Sequence, residues 1–415
     1  MTRGSKISFK GKVVQGVHDM FHVWKKEMRK VFHDQGVLIF FLLVPLAYPL
    51  LYSFIYNNEV VREVPAIVVD DSDSGLSRRF IRMVDATADI AIVARCTDMD
   101  EAKRMLRDGK AYGIYYFPSD FTDKLSHMEQ SQVSIFCDMS GLLYYKAMLL
   151  SATEVSLKLN ERIKIARAGN FTAEQDEVTA MPIEYESVAL FNPQNGFASF
   201  LIPAVLVLII QQTLLLGVGL SVGTDRERNR FNDLVPISRH YNGTLRIVFG
   251  KALAYLMVYA VVSIYVLCVV PWIFSLPQVG QPASFLAFML PLVLACIFFA
   301  MTLSVFVRNR ETCMLIFVFT SVPLLFLSGI SWPACAIPDF WRWFSYIFPS
   351  TFGIRGYVAI NSTGATLDEV SADYVALWVQ AGIYFVLACV AYRWQIIRSR
   401  RHAIGDYKRI RNMAG

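Results

Sequence analysis

Five stretches of this chain, residues 35–58, 187–224, 252–307, 312–338 and 374–392, contain no Asp, Glu, Lys or Arg. A helix that crosses a hydrocarbon core takes about 20 mostly apolar residues, and each stretch has room for one. Charged residues make up 18% of the 415 residues, against roughly 25% in soluble domains. The deficit lies in these runs, which excludes a free cytosolic enzyme or a secreted factor. Six spans are expected: Val37–Tyr56, Phe200–Val222, Ile247–Trp272, Phe285–Val307, Cys313–Ile330 and Val375–Tyr392. The longest neutral run is divided because Pro277, Gly280, Gln281 and Pro282 interrupt it. Val37–Tyr56 is not a signal peptide, since its apolar core is too long and Asn57-Asn58 offers no small-residue cleavage site.

Charge orients the spans. Residues 1–36 hold eight Lys/Arg, 223–251 six, 308–311 two and the tail from Arg393 seven, whereas 273–284 has none. The 331–374 loop has two basic and four acidic residues. The positive-inside rule therefore places both termini in the cytoplasm. These juxtamembrane cations face anionic lipid headgroups, and no nucleic-acid partner is expected.

Residues 57–197 read as an inserted domain on the outer side. Strand-like Ala66–Val69, Ile90–Ala94, Tyr112–Phe117 and Val133–Phe136 alternate with helical Ser77–Ala86, Met99–Asp108 and a short helix opened by Pro118-Ser119. Leu142–Ala168 then reads as a long helix ended by Gly169-Asn170. Such alternation implies an α/β domain. The expected fold is an α-helical polytopic membrane protein with six transmembrane helices and an inserted α/β extracytoplasmic domain. Before the first span, Val13, Val17, Met20, Phe21, Trp24, Met28, Val31 and Phe32 recur at helical spacing, so residues 1–36 are expected to carry an amphipathic helix lying in the cytoplasmic interface.

Little in the chain carries chemistry. Gly250-Lys251 resembles half of a P-loop, but Gly243 lies too far upstream and Ala252 stands where Ser or Thr would hold magnesium. Any nucleotide energy, with its ATP and magnesium, must therefore come from another chain, and no catalytic residue, cofactor or metal is expected in this one. His18 and His22 lack a third ligand. Asp70, Asp71 and Asp73 are read as solvated loop acids ahead of a cation site. Cys96 and Cys137 have the option of a disulfide, with burial as free thiols favoured. The span centres lack ionisable groups, which disfavours a proton-driven antiporter or an ion channel. Gln211 and Gln212 either line a path or hydrogen-bond across a helix interface, the second being favoured.

Two constellations stand out. The connection at 223–246 offers charges at Arg226, Glu227 and Arg228 and an apolar ridge at Phe231, Leu234 and Ile237, with Pro236, and suits a docking element, which the resemblance described next implies is for a cytoplasmic ATPase. The 331–374 loop, rich in aromatics that include Trp332, Trp341 and Trp343 beside Pro333, belongs at the outer interface as short dipping helices, acting as a gate or as an ordinary aromatic belt.

In order and spacing, the chain resembles the permease subunits of type-2 ABC transporters, in the exporter branch with a large extracytoplasmic domain. The resemblance rests on Lys26-Glu27 with Asp34, and on Pro65–Asp70 with Asp73 and Ser77-Arg78. It continues through Glu101-Ala102, Leu106, Gly109, Pro118, Phe121 and Asp138, then Asn192-Pro193, Arg226-Glu227, Pro236–Ser238, Gly250-Lys251, Leu327–Gly329 and Trp332-Pro333. The family's Glu-x-Gly-Thr after the second span is out of register here, since Gly223-Thr224 precedes Arg226-Glu227. The resemblance implies a bacterial inner-membrane permease, paired with itself or a sister permease above two nucleotide-binding subunits. It implies outward transport of an amphipathic or lipid-like small molecule, with a periplasmic adaptor and outer-membrane channel as further partners. Export of sodium or a glycan precursor is the alternative within transport. A non-transporting signal or mechanical transmitter is the alternative from another class.

Overall fold

The computed structural model describes residues 9–169, 172–183, 188–193, 196–229, 234, 243–329 and 331–414. The chain forms two compact units, one of Met1–Asn57 with Leu190–Gly415 and one of Asn58–Ala189.

In chain order, α1 (Phe9–His33) leads into α2 (Gln35–Ile55). The second unit follows with β1 (Val64–Asp70), α3 (Gly75–Asp85), β2 (Ile90–Cys96), α4 (Met99–Arg107), β3 (Gly113–Phe117), α5 (Phe121–Ser126), β4 (Ser134–Cys137), α6 (Leu142–Ala168) and α7 (Ala173–Ala180). The first unit resumes with α8 (Phe197–Arg228), α9 (Thr244–Ile273), α10 (Pro282–Ser304), α11 (Arg310–Leu327), α12 (Asp339–Ser345), α13 (Pro349–Thr363) and α14 (Ser371–Ala414). Six helices, α2, α8, α9, α10, α11 and α14, are long and apolar enough to cross a membrane. Each contains most of one expected span.

α8 is the axis of the first unit. Its most apolar window is wholly buried, whereas 12% of the corresponding window of α11 is buried. Glycines let neighbours approach it. A Cβ on Gly217 would lie 2.1 Å from the Phe41 ring, and one on Gly223 would lie 3.0 Å from the Arg310 backbone nitrogen. Single π-turns at Ile39–Leu43 in α2 and Tyr265–Val269 in α9 stand just before Pro45 and Pro271. Proline removes an N–H and crowds the preceding turn, and a wider turn relieves both effects.

In the second unit the sheet order is β2-β1-β3-β4, with β1 parallel to β2 and β3, and β4 antiparallel to β3. β1 is central and apolar on both faces, as a strand covered on both sides must be. Ala66 and Val68 join Tyr115 and Phe117 under α3 and α6, while Ile67 and Val69 join Ile114 and Ala102 under α4. The alternation read from the sequence is the one observed, and the long helix spans the expected Leu142–Ala168. Its end is set by Gly169, whose φ of 62° suits a left-handed cap.

Cys96 and Cys137 are free thiols. They lie on opposite edge strands, three strand spacings or about 14 Å apart, well beyond disulfide reach. Asp70 and Asp73 shape the turn into α3. Asp70 Oδ1 accepts the Ser72 and Asp73 N–H groups and its Oδ2 accepts the Ser77 hydroxyl at 2.6 Å, while Asp73 binds Arg78 at 2.7 Å.

Two elements carry more than the sequence suggested. The buried stripe of α1 is Asp19, Val23, Glu27 and Val31, whereas Val17, Phe21 and Phe32 of the expected apolar face are exposed. A helix face carrying two carboxylates is buried because α9 meets it with cations, as described below. The 331–374 loop is also more than an interfacial belt. α12 presents exposed Phe340, Trp341 and Trp343, but α13 is a 15-residue helix packed among α8, α10 and α14. Its Gly353 and Gly356 admit the side chains of Leu292 and Phe288, where added Cβ atoms would lie 2.4 and 2.2 Å away.

Candidate functional site

The first unit's charges converge where α1, α8, α9 and the start of α11 meet. α1 carries two acids, Asp19 and Glu27, and both are buried, as is Asp34 just after it. Spacings of eight and seven residues keep successive members on one helix face. Opposite them, α9 brings Arg246 and Lys251. Arg246 Nη1 binds Asp19 Oδ2 at 2.6 Å and Lys251 Nζ binds Glu27 Oε1 at 2.8 Å. Gly250 makes this approach possible, because a Cβ there would lie 2.7 Å from the Met20 carbonyl oxygen.

Glu27 is the hub. Its Oε1 also accepts hydrogen bonds from the Tyr255 hydroxyl at 2.5 Å and the Ser221 hydroxyl at 2.9 Å. Burial pushes the carboxyl up, yet the Lys251 and Lys30 charges and the bonds from Lys251 and Tyr255 outweigh it and hold it down at about 2. Lys30 extends the network, binding Asp225 Oδ1 at 2.7 Å and donating to the Ser221 carbonyl. Burial pulls its ammonium below the usual range, and Glu27 and Asp225 offset part of that. Lys251 also lies 3.7 Å from Asp225.

A second cluster adjoins it. Asp34 caps the start of α2 through the Gly36 and Val37 N–H groups, and its Oδ2 binds Arg310 Nη2 at 2.8 Å. Glu227 Oε1 accepts the Arg310 backbone N–H at 2.9 Å, and its Oε2 lies 3.5 Å from Arg310 Nε. Arg228 stands 3.8 Å from Asp34, and Arg226 Nη2 donates to the Val305 carbonyl at 2.7 Å.

The expected docking residues are thus placed differently from an open loop. Arg226, Glu227 and Arg228 form the last turn of α8. Arg226 is buried and Glu227 holds the α11 start, so both brace helices within the chain; Arg228 remains 72% exposed in its side chain. Leu234 is buried. Phe231, Pro236 and Ile237 lie outside the described residues. Gln211 accepts the Ser350 N–H at 2.7 Å and so caps the start of α13, while both side-chain polar atoms of Gln212 are buried without a hydrogen-bond partner. Trp332, Pro333, Trp341 and Trp343 are exposed. The structure does not bring the glutamines into the charge cluster: Gln211 and Ser221 are ten residues apart on α8, about 15 Å along the axis.

Reading the sequence singled out Glu27 with Asp34, and Lys251 separately, and missed Asp19, Asp225, Arg246 and Arg310 as their company. The available signal was a cation at the edge of an apolar run together with acids on one stripe of a basic helix.

Comparison with known proteins is consistent with this architecture. The family model for "ABC-2 family transporter protein" matches residues 36–390. A protein of Escherichia coli K12 named "Probable multidrug ABC transporter permease YbhR" is 24% identical over 375 residues, covering 86% of this chain and 94% of the relative. "ABC transporter G family member 20" of Dictyostelium discoideum is 22% identical over 368 residues, covering 86% of this chain and 47% of that longer protein.

Proposed function

The chain belongs to the ABC-2 family of transporter proteins, and we propose that it is the permease subunit of an ATP-driven exporter of amphipathic, drug-like small molecules. It sits in the bacterial inner membrane with both termini in the cytoplasm. It pairs with itself or a sister permease and takes its energy from two nucleotide-binding subunits. The relative's printed name supports the drug-like class of cargo.

The observation that carries this reading is the buried charge network on α1, α8, α9 and α11. A partner that moves the connection after Arg228 acts on a helix end tied by ion pairs to three other elements. Buried pairs tolerate few geometries, so such a network favours discrete arrangements over graded deformation. The path of force runs from the connection to Glu227 and Asp225, then to Arg310 and Lys251, and so to the spans. The loop 331–374, anchored by α13 on Gln211, responds at the middle of α8. A periplasmic adaptor and outer-membrane channel would take the cargo onward.

The test is reconstitution. In proteoliposomes the chain alone should hydrolyse no ATP, since it lacks a P-loop. Together with a nucleotide-binding subunit, it should hydrolyse ATP and move an amphipathic dye such as rhodamine 6G in one direction. ATP-independent movement, or hydrolysis by this chain alone, would overturn the reading.

A further inference from the structure

We infer that the 58–189 unit carries a binding site of its own for the apolar portion of an amphipathic small molecule. The cause is a mismatch of lengths. α6 has 27 residues, about 40 Å of helix, whereas the strands beneath it have four to seven, roughly 13–24 Å.

At the first half of α6 the fit is tight. Tyr115 donates its hydroxyl to the Met148 carbonyl at 3.0 Å, and Gly113 lets the Met148 side chain press on the sheet, where a Cβ would lie 2.3 Å from its sulfur. Leu159 is the last residue of the helix in the core shared with β1 and β3, and beyond it the helix outruns the sheet. Its stripe Ala152, Ser156, Leu159 and Ile163, at the spacing of an apolar helix face, looks across a cavity of about 290 Å³ to Phe80 and Phe121. Cavities that bind small molecules run roughly 300–1,000 Å³, apolar with a few polar groups.

The polar groups are present. Ser131 Oγ, on the cavity wall, is shielded from solvent and has no hydrogen-bond partner. Buried polar atoms normally have one, so this hydroxyl fits a ligand's acceptor or donor. Past Ser131 and Ser156 the cavity opens into a wider cleft of about 960 Å³ that includes Glu129, Glu161 and Lys164. An apolar body therefore enters beneath α6 while a charged or zwitterionic head stays among the charges at the mouth. As a station for exported cargo the site rests on the exporter reading; as a binding site it does not.

The probe is a dodecyl carboxylate bearing a diazirine on its chain, photolysed with the full-length protein in lipid nanodiscs and mapped by peptide mass spectrometry. Adducts are expected within 121–135 and 152–163. Ser156→Trp, which fills the cavity, and Leu157→Arg, which charges its edge, should each lower labelling of these peptides at least tenfold and leave labelling of the spans unchanged. Leu157 is 50% exposed, so its replacement spares the core. Labelling confined to the spans, or undiminished in both variants, would overturn the site. Labelling kept where ATP-driven transport of the probe is absent supports the site and counts against the exporter reading alone. Transport kept where cavity labelling is absent does the reverse.

Discussion

Among the described residues, two Glu–Lys contacts of similar length lie in two different settings. Glu27 and Lys251 meet at 2.8 Å with each side chain 4% exposed; Glu154 and Lys158 meet at 2.5 Å with side chains 60% and 57% exposed. Distance does not separate them. The first joins α1 to α9 across 224 positions of sequence and draws in Tyr255 and Ser221. The second joins adjacent turns of α6. A surface pair is hydrated before and after it forms and contributes little. A buried pair has lost its water, so removing one partner leaves a buried charge without its nearest counter-charge. The lesson is that these contacts are to be ranked by what remains when one partner goes.

The largest expected effect follows from that ranking. Glu27→Gln should destabilise the first unit by about 3–5 kcal/mol, the loss typical of a broken buried pair. A fall in the melting temperature of the purified protein in nanodiscs, with uncoupling of ATP hydrolysis from transport, would show it. The double change Glu27→Gln with Lys251→Met removes both charges and should recover much of the stability but not the coupling. A double variant as unstable as the single one would break the comparison, because the unpaired charge would then not be the cause.

A smaller effect concerns pH. The Glu27 carboxyl is held at about 2 in the fold against an ordinary value of 4.5. Its contribution is therefore fully present above about pH 5 and is lost as pH falls from there towards 2. Melting temperatures from pH 7 to pH 4 should decline less steeply in Glu27→Gln than in the unmodified protein. Parallel curves would assign acid sensitivity to other groups.

The smallest effect belongs to the exposed pair. Glu154→Gln should change stability by less than about 0.5 kcal/mol and leave transport unaltered. A larger loss would mean that Glu154 meets something beyond Lys158.

Much of this architecture was legible without coordinates. Charge-free runs revealed the six spans because burial of charge in hydrocarbon is costly over any such stretch. The second unit was legible for a related reason: β1 needs a continuous apolar run, and Gly169 marks the end of the long helix through its backbone conformation. The buried carboxylates of α1 were not anticipated because amphipathicity assumes that charge points outward. Asp19 and Glu27 point inward since their partners are supplied by a helix more than 200 residues away in sequence. The packed α13 was missed for a similar reason, as its Gly353 and Gly356 have meaning only against Leu292 and Phe288.

The two spans α8 and α11 mark the limit. By sequence both are apolar helices, with mean hydropathies of 2.3 and 1.6 in their best windows, yet one window is wholly buried and the other 12% buried. Composition along a segment decides whether it can leave water, since transfer free energy adds residue by residue. It does not decide which neighbours the segment meets. That depends on steric fit, on Gly217 beneath Phe41 and Gly223 beneath Arg310, and on charges that find one another only once the helices are assembled. The sequence by itself therefore determined the spans, their number and the inserted α/β unit. The tertiary structure alone decided which span lies at the centre, which acids are buried, and that the long helix α6 overhangs its short sheet to leave a cavity.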